Sequence, residues 1–126
     1  MKSLLRIFTL LCATLSISCA QSPSEAGYDQ KVTYHKDKPV KFRHFTLVFT
    51  GIRRVVPPQY PRGWDVYDFR VEVDGKPQTV SWSAGTGSIG PAEFTVGSRD
   101  YWLERVYSDK LGKLKDNELV ITKARK

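Results

Sequence analysis

Three side chains suited to recognition, Tyr60, Arg62 and Trp64, are interleaved with Pro57, Pro58, Pro61 and Gly63. Tyr, Trp and Arg carry much of the energy of protein interfaces, because each offers a large contact area with a polar handle. Proline limits the backbone freedom that a loop loses on binding, so the cost of ordering it falls. Arg53 and Arg54 lead into the segment. The spacing points to a stiff loop presenting aromatic faces beside positive charge. Two partners suit it. One is a protein, gripped through Tyr60 and Trp64. The other is an anionic glycan, its rings stacked on those aromatics and its charges held by Arg53, Arg54 and Arg62. The competing reading is structural: Tyr60 and Trp64 fold back to cap the end of a β-structure.

Other constellations are weaker. Gly85-Thr86-Gly87-Ser88-Ile89-Gly90 spells a dinucleotide-type glycine motif. That motif works by opening a helix whose N-terminus holds a pyrophosphate, whereas here Pro91 and the alternating Phe94 and Val96 follow. It reads as a strand connection, at most a nest of N–H groups. Ser88 lacks the strand-to-helix setting of a nucleophile elbow. His35 and His44, with Asp37, have no recognised metal-ligand spacing. Asp65 and Asp68 read as strand positions rather than a glycosidase pair. Arg99, Lys110, Lys113 and Lys115 make a second basic set, read as a solvated face. No cofactor, metal site or catalytic residue is assigned, and the expectation is a protein that is not an enzyme.

The loop must be held by β-structure. Val32 and Tyr34 suggest a first strand. From Val40 to Val56 the chain is extended, with apolar parity changing between Phe42 and Phe45, as at a bulge or where two strands meet. Tyr67, Phe69, Val71 and Val73 alternate with Asp68, Arg70, Glu72 and Asp74, giving one buried and one wet face. Asp74-Gly75 signals a two-residue hairpin. Val80 and Trp82 point inward next, then Phe94 and Val96. Tyr101, Leu103, Arg105 and Tyr107 alternate with Trp102, Glu104 and Val106. Leu111 and Leu114 are expected to pin a basic loop or helical turn, and Leu119 and Ile121 lie in a last strand. About seven strands and no long helix predict an all-β fold, an antiparallel β-sandwich with a small β-barrel as the alternative.

The beginning of the chain differs from the rest. Lys2 and Arg6 precede and enter a short apolar run, Ile7 to Leu15, too short to span a bilayer, and small residues follow. Residues 1–20 read as a signal peptide, 21–28 as a flexible linker and 29–126 as a single β-rich domain. Leu15-Ser16-Ile17-Ser18-Cys19 resembles the signal of bacterial prolipoproteins, with Leu15 one position further from the cysteine than usual. Cutting after Ala20 is the alternative. The resemblance implies a lipid on Cys19 and a membrane anchor in a bacterial envelope, or release into the periplasm. Cys12 and Cys19 are the two cysteines, so residues 28–126 contain no disulfide and no thiol nucleophile. Lys2 and Arg6 are two of the 20 basic residues, leaving 18 against 13 acidic ones from Cys19 onward, a net charge of +5. Such a domain is drawn to anionic surfaces. Export argues against nucleic acid. The expectation is a small exported envelope protein that acts as a binding module for a protein partner, as an inhibitor or assembly subunit, or else for glycan of the cell wall.

Overall fold

The computed structural model describes residues 24–84 and 90–124. The signal segment, Cys19, most of the linker and the glycine motif at 85–89 lie outside the described residues. The strands are β1 (Val32–Thr33), β2 (Pro39–Lys41), β3 (Thr46–Val55), β4 (Trp64–Val73), β5 (Lys76–Ser83), β6 (Ala92–Val96), β7 (Arg99–Glu104), β8 (Tyr107–Ser108), β9 (Gly112–Lys113) and β10 (Glu118–Lys123). One sheet has the order β2-β3-β4-β5, the other β1-β10-β7-β6, and β8-β9 is a separate hairpin. All strand pairs are antiparallel and neither sheet closes on itself. The predicted sandwich is therefore the fold, and the barrel alternative is not. The elements beyond the expected seven are short: β2, split from β3, has three residues, and β8 and β9 have two each.

Alternation builds the core. Leu47 on β3, Phe69 and Val71 on β4, and Val80 and Trp82 on β5 face Phe94, Val96, Tyr101, Leu103, Leu119 and Ile121 of the second sheet. Residue types of this kind suit a pleated surface buried on one side. The parity change at residues 42–45 is a meeting of two strands. The Phe42 amide donates to the Phe45 carbonyl at 2.8 Å, closing a turn that carries both rings into the core. The bulge lies further on, between Phe49 and Gly51, where the pairing of β3 with β4 shifts register. Asp74 and Gly75 adopt φ of 50° and 75° in the two-residue turn that joins β4 to β5, the conformation a twisted hairpin requires. Of the two leucines expected to pin the basic segment, Leu114 is buried but Leu111 is exposed. The segment is a hairpin, not a helical turn. Leu111 sits in the turn between β8 and β9, so only Leu114 reaches inward.

Glu104 is held at the outer side of the second sheet with one carboxylate oxygen buried and unpartnered. Burial, then the nearby Asp109 charge, push its carboxyl above the ordinary range, against the opposing hydrogen bond from Ser108. A raised folded-state value means that ionised Glu104 opposes folding, and that the penalty vanishes as pH falls below the carboxylate range. Glu104→Gln is accordingly expected to raise the Tm at pH 7 by a few degrees. The gain should disappear near pH 3, where both states of the wild-type residue are protonated. Thermal unfolding at the two pH values checks both parts.

Candidate functional site

The aromatic loop is built by two successive turns. The Tyr60 amide donates to the Pro57 carbonyl at 3.0 Å, and the Gly63 amide to the Tyr60 carbonyl at 2.8 Å. Gly63 has φ of 63°, and a Cβ there would stand 2.3 Å from the Val55 carbonyl oxygen. Only glycine lets the chain turn this close to β3 before Trp64 pairs with Val55. Gly97 has the same φ but nothing within 4 Å of its Cβ position. Gly97→Ala should cost only the left-handed backbone penalty, about 1–2 kcal/mol. Gly63→Ala should cost more and displace the loop, which unfolding curves and partner capture by the two variants would separate.

Tyr60 and Trp64 are brought together, with ring centroids 5.8 Å apart and planes at 68°. Tyr60 is 50% exposed, and Val56, which lies against Gly63, 57%. Trp64 is half-buried. Arg62 is exposed and lines a shallow depression with Tyr60, Trp64 and Ala84. The loop therefore caps the end of the sandwich with Trp64 while Tyr60 stays at the surface.

The two arginines that lead into the loop are engaged by carboxylates of β4 and, for Arg54, by the loop backbone. Arg53 meets Asp68 at 2.7 Å and Arg54 meets Asp65 at 3.1 Å. Arg54 also donates to the Arg62 carbonyl, tying β3 to the loop. Burial alone would raise the Asp68 carboxyl. Hydrogen bonds from Arg53 and Ser81 and the Arg53 charge outweigh it and hold the group below its ordinary value. Arg53 and Arg54 thus reach carboxylates of β4 and anchor the loop's approach. Asp65 and Asp68 have opposite parity on β4, so they point to opposite faces and form no acid–base pair.

Directly paired residues share a face. Ile52, Tyr67 and Trp82 form one row across β3, β4 and β5, on the core side of the sheet. Trp82 is 3% exposed but Ile52 is 55% exposed, so the row runs out of the core into solvent on β3, past the stretch that β2 covers. Above this row lies Arg105, which continues the inward set Tyr101 and Leu103 past the end of β7. Its guanidinium carbon is 3.6 Å from the Tyr67 ring centroid and 5.1 Å from that of Trp82. Nε donates to the Tyr34 hydroxyl at 2.7 Å and Nη2 to the Asp116 carbonyl at 2.7 Å. The Tyr34 hydroxyl donates to that same carbonyl at 2.9 Å. Burial raises the Tyr34 phenol, with Arg105 opposing, so Tyr34 keeps its proton at neutral pH. A cleft of about 360 Å³ opens here, lined by Trp64, Tyr67, Trp82, Arg105, Lys113 and Asp116 among others. The sequence displayed Arg105 only as an inward position. Its three aromatic neighbours come from distant segments, and no local pattern announces them.

The second basic set does not gather into one face. Lys110 pairs with Asp29 at 3.7 Å, and Lys113 lines the Arg105 cleft. Arg99 instead joins Arg43, His44 and Lys123 in a cleft beside residues 25–28. Burial, then the charges of Arg99, Arg43 and Lys123, hold the His44 imidazole below its ordinary value. Arg99 begins β7 and Arg105 follows its end, so the basic cleft and the aromatic loop occupy opposite ends of the sandwich. His35 is exposed in a turn before β2, away from His44. Among the described residues, no three His, Cys, Asp or Glu side chains converge to hold a metal. No protein-family model, curated protein sequence or solved structure matches the chain.

Proposed function

We propose that the protein is an exported, non-enzymatic binding module of a bacterial envelope, and that it grips a protein partner with the loop end of its sandwich. The observation that carries this reading is the mixed surface there: the aromatic pair Tyr60 and Trp64 shares the loop end with the exposed aliphatic side chain of Val56, which lies against Gly63. Sugar rings stack on aromatic faces but leave branched aliphatic side chains unsatisfied, whereas an apolar protein patch buries both kinds. Only Arg62 of the three predicted arginines keeps its charge free of a carboxylate partner among the described residues, which weakens the case for a polyanionic glycan. A tether from Cys19 would join the fold at residues 25–28. The loop end, on the far side, would then face away from the membrane.

The test is capture from solubilised envelope extract by immobilised residues 20–126, a segment that contains every residue of the core. A Tyr60→Ala, Trp64→Ala double variant is run beside it after its fold is verified by circular dichroism. A protein retained by the wild type and lost by the folded variant supports the proposal. The same proteins retained by both would overturn it.

A further inference from the structure

Arg105 is a buried cation without a counter-ion. It is 6% exposed, and all 13 Asp and Glu side chains fall among the described residues, yet none forms an ion pair with it. A cation placed in a site of low polarity is costly unless it is matched by opposite charge. Tyr67 and Trp82 supply part of the match through their ring faces, and the Tyr34 hydroxyl and Asp116 carbonyl take two of its five N–H donors. The donors on Nη1 and the second on Nη2 have no protein acceptor among the described residues. The same contacts that hold the group fix its direction, so its free edge is oriented before any ligand arrives.

The cleft beside it has a matching charge balance. Lys113 adds a cation at the rim. Asp65 also lines the space but is paired with Arg54, leaving the exposed Asp116 as the opposing charge. Arg105 and Lys113 outweigh it. The walls, Trp64, Tyr67 and Trp82, are aromatic, and Trp64 also belongs to the exposed loop pair.

We infer that this cleft is a carboxylate-binding pocket, and that it receives an acidic side chain of the protein partner, with Arg105 as the recognition group and Trp64 and Trp82 as the walls. The inference rests on the reading of the loop end as a protein-binding surface and names what that partner must carry. A planar guanidinium presents parallel N–H donors that fit a carboxylate, which a lysine ammonium does not reproduce.

The probes are N-acetylglutamate α-amide, which has a single carboxylate, its neutral counterpart N-acetylglutamine α-amide, and glucuronate. Each is titrated into isotopically labelled residues 20–126 while the Arg105 Nε–H and the Trp64 and Trp82 indole N–H resonances are followed. The glutamate probe should shift all three saturably, with an affinity on the order of millimolar for so small a ligand. The glutamine probe should bind at least about tenfold more weakly. Arg105→Lys should abolish the shifts at the two indoles. Should that variant not fold, the surface change Lys113→Glu decides, with an expected several-fold loss of affinity. Equal binding of the two amides, shifts that bypass these residues, or an unchanged affinity in Lys113→Glu would each overturn the inference. Tighter binding of glucuronate would overturn it as well, and assign the cleft to an acidic sugar. Capture that fails with Tyr60→Ala, Trp64→Ala but persists unchanged with Lys113→Glu would leave the binding module standing and remove only this pocket.

Discussion

The Tyr60→Ala, Trp64→Ala double variant is expected to bind the captured partner at least about 100-fold more weakly than the wild type, by calorimetry or surface binding. The two rings meet edge to face at 5.8 Å, in a loop closed by two backbone hydrogen bonds and by a glycine that tolerates no side chain. Little freedom remains to be lost when a partner covers them, so the area they contribute appears almost fully as affinity. Val56, exposed against Gly63, extends the apolar patch. The variant should remain folded. Tyr60 is half exposed and Trp64 lies outside the core cluster, so the stability cost should be about 1–2 kcal/mol.

The opposite pattern is expected of Tyr101→Ala. Tyr101 is fully buried. Its ring stacks on Tyr28 and Phe94, each 5.4 Å away, and meets Phe45 edge-on at 5.1 Å. It therefore joins the strand-connecting turn of one sheet to β6 and β7 of the other. Removing so large a buried ring costs about 3–5 kcal/mol, a large part of the 5–15 kcal/mol typical of a folded domain. A chemical denaturation curve should show the midpoint falling steeply, with partner binding retained in whatever fraction stays folded. The two variants thus separate the residues that make the sandwich from those that use it.

Much of the sandwich is legible in the chain because it is written locally. Phe69, Val71 and Val73 against Asp68, Arg70 and Glu72 display a period of two, and Asp74-Gly75 names its own turn. The segment 42–45 is ambiguous for a physical reason: a bulge and a tight turn both exchange inward for outward positions. The real bulge at Phe49–Gly51 leaves a similar mark, the three-residue step from Phe49 to Ile52 across Gly51, but Arg53 and Arg54 follow and no inward set confirms the new parity. That bulge sets which residues of β4 stand opposite Arg53 and Arg54. Their pairing with Asp68 and Asp65 therefore depends on a register that the sequence does not display, and their expected place in the binding surface does not anticipate it.

The site divides in the same way. Tyr60, Arg62 and Trp64 are neighbours in the chain and remain neighbours in space. Arg105 is visible as an inward position beside Tyr101 and Leu103, but its environment is assembled from Tyr34, Tyr67, Trp82 and the Asp116 carbonyl. Those groups come from four separate stretches of chain. Only the folded sheets bring them within hydrogen-bonding and cation–π distance, so a periodic reading registers the parity and misses the chemistry.

The claim that the loop end binds protein through an apolar aromatic patch is tested most directly by the salt dependence of capture. Extract is passed over the immobilised wild type at low salt and the column is washed at about 1 M salt, where exposed charges interact only over about 3 Å. Retention of the same protein through the high-salt wash, and its absence from the Tyr60→Ala, Trp64→Ala column at both concentrations, is the predicted result. Elution by salt alone, with the double variant behaving as the wild type, would show instead that the basic charge of the domain does the binding and that the aromatic end is only a cap.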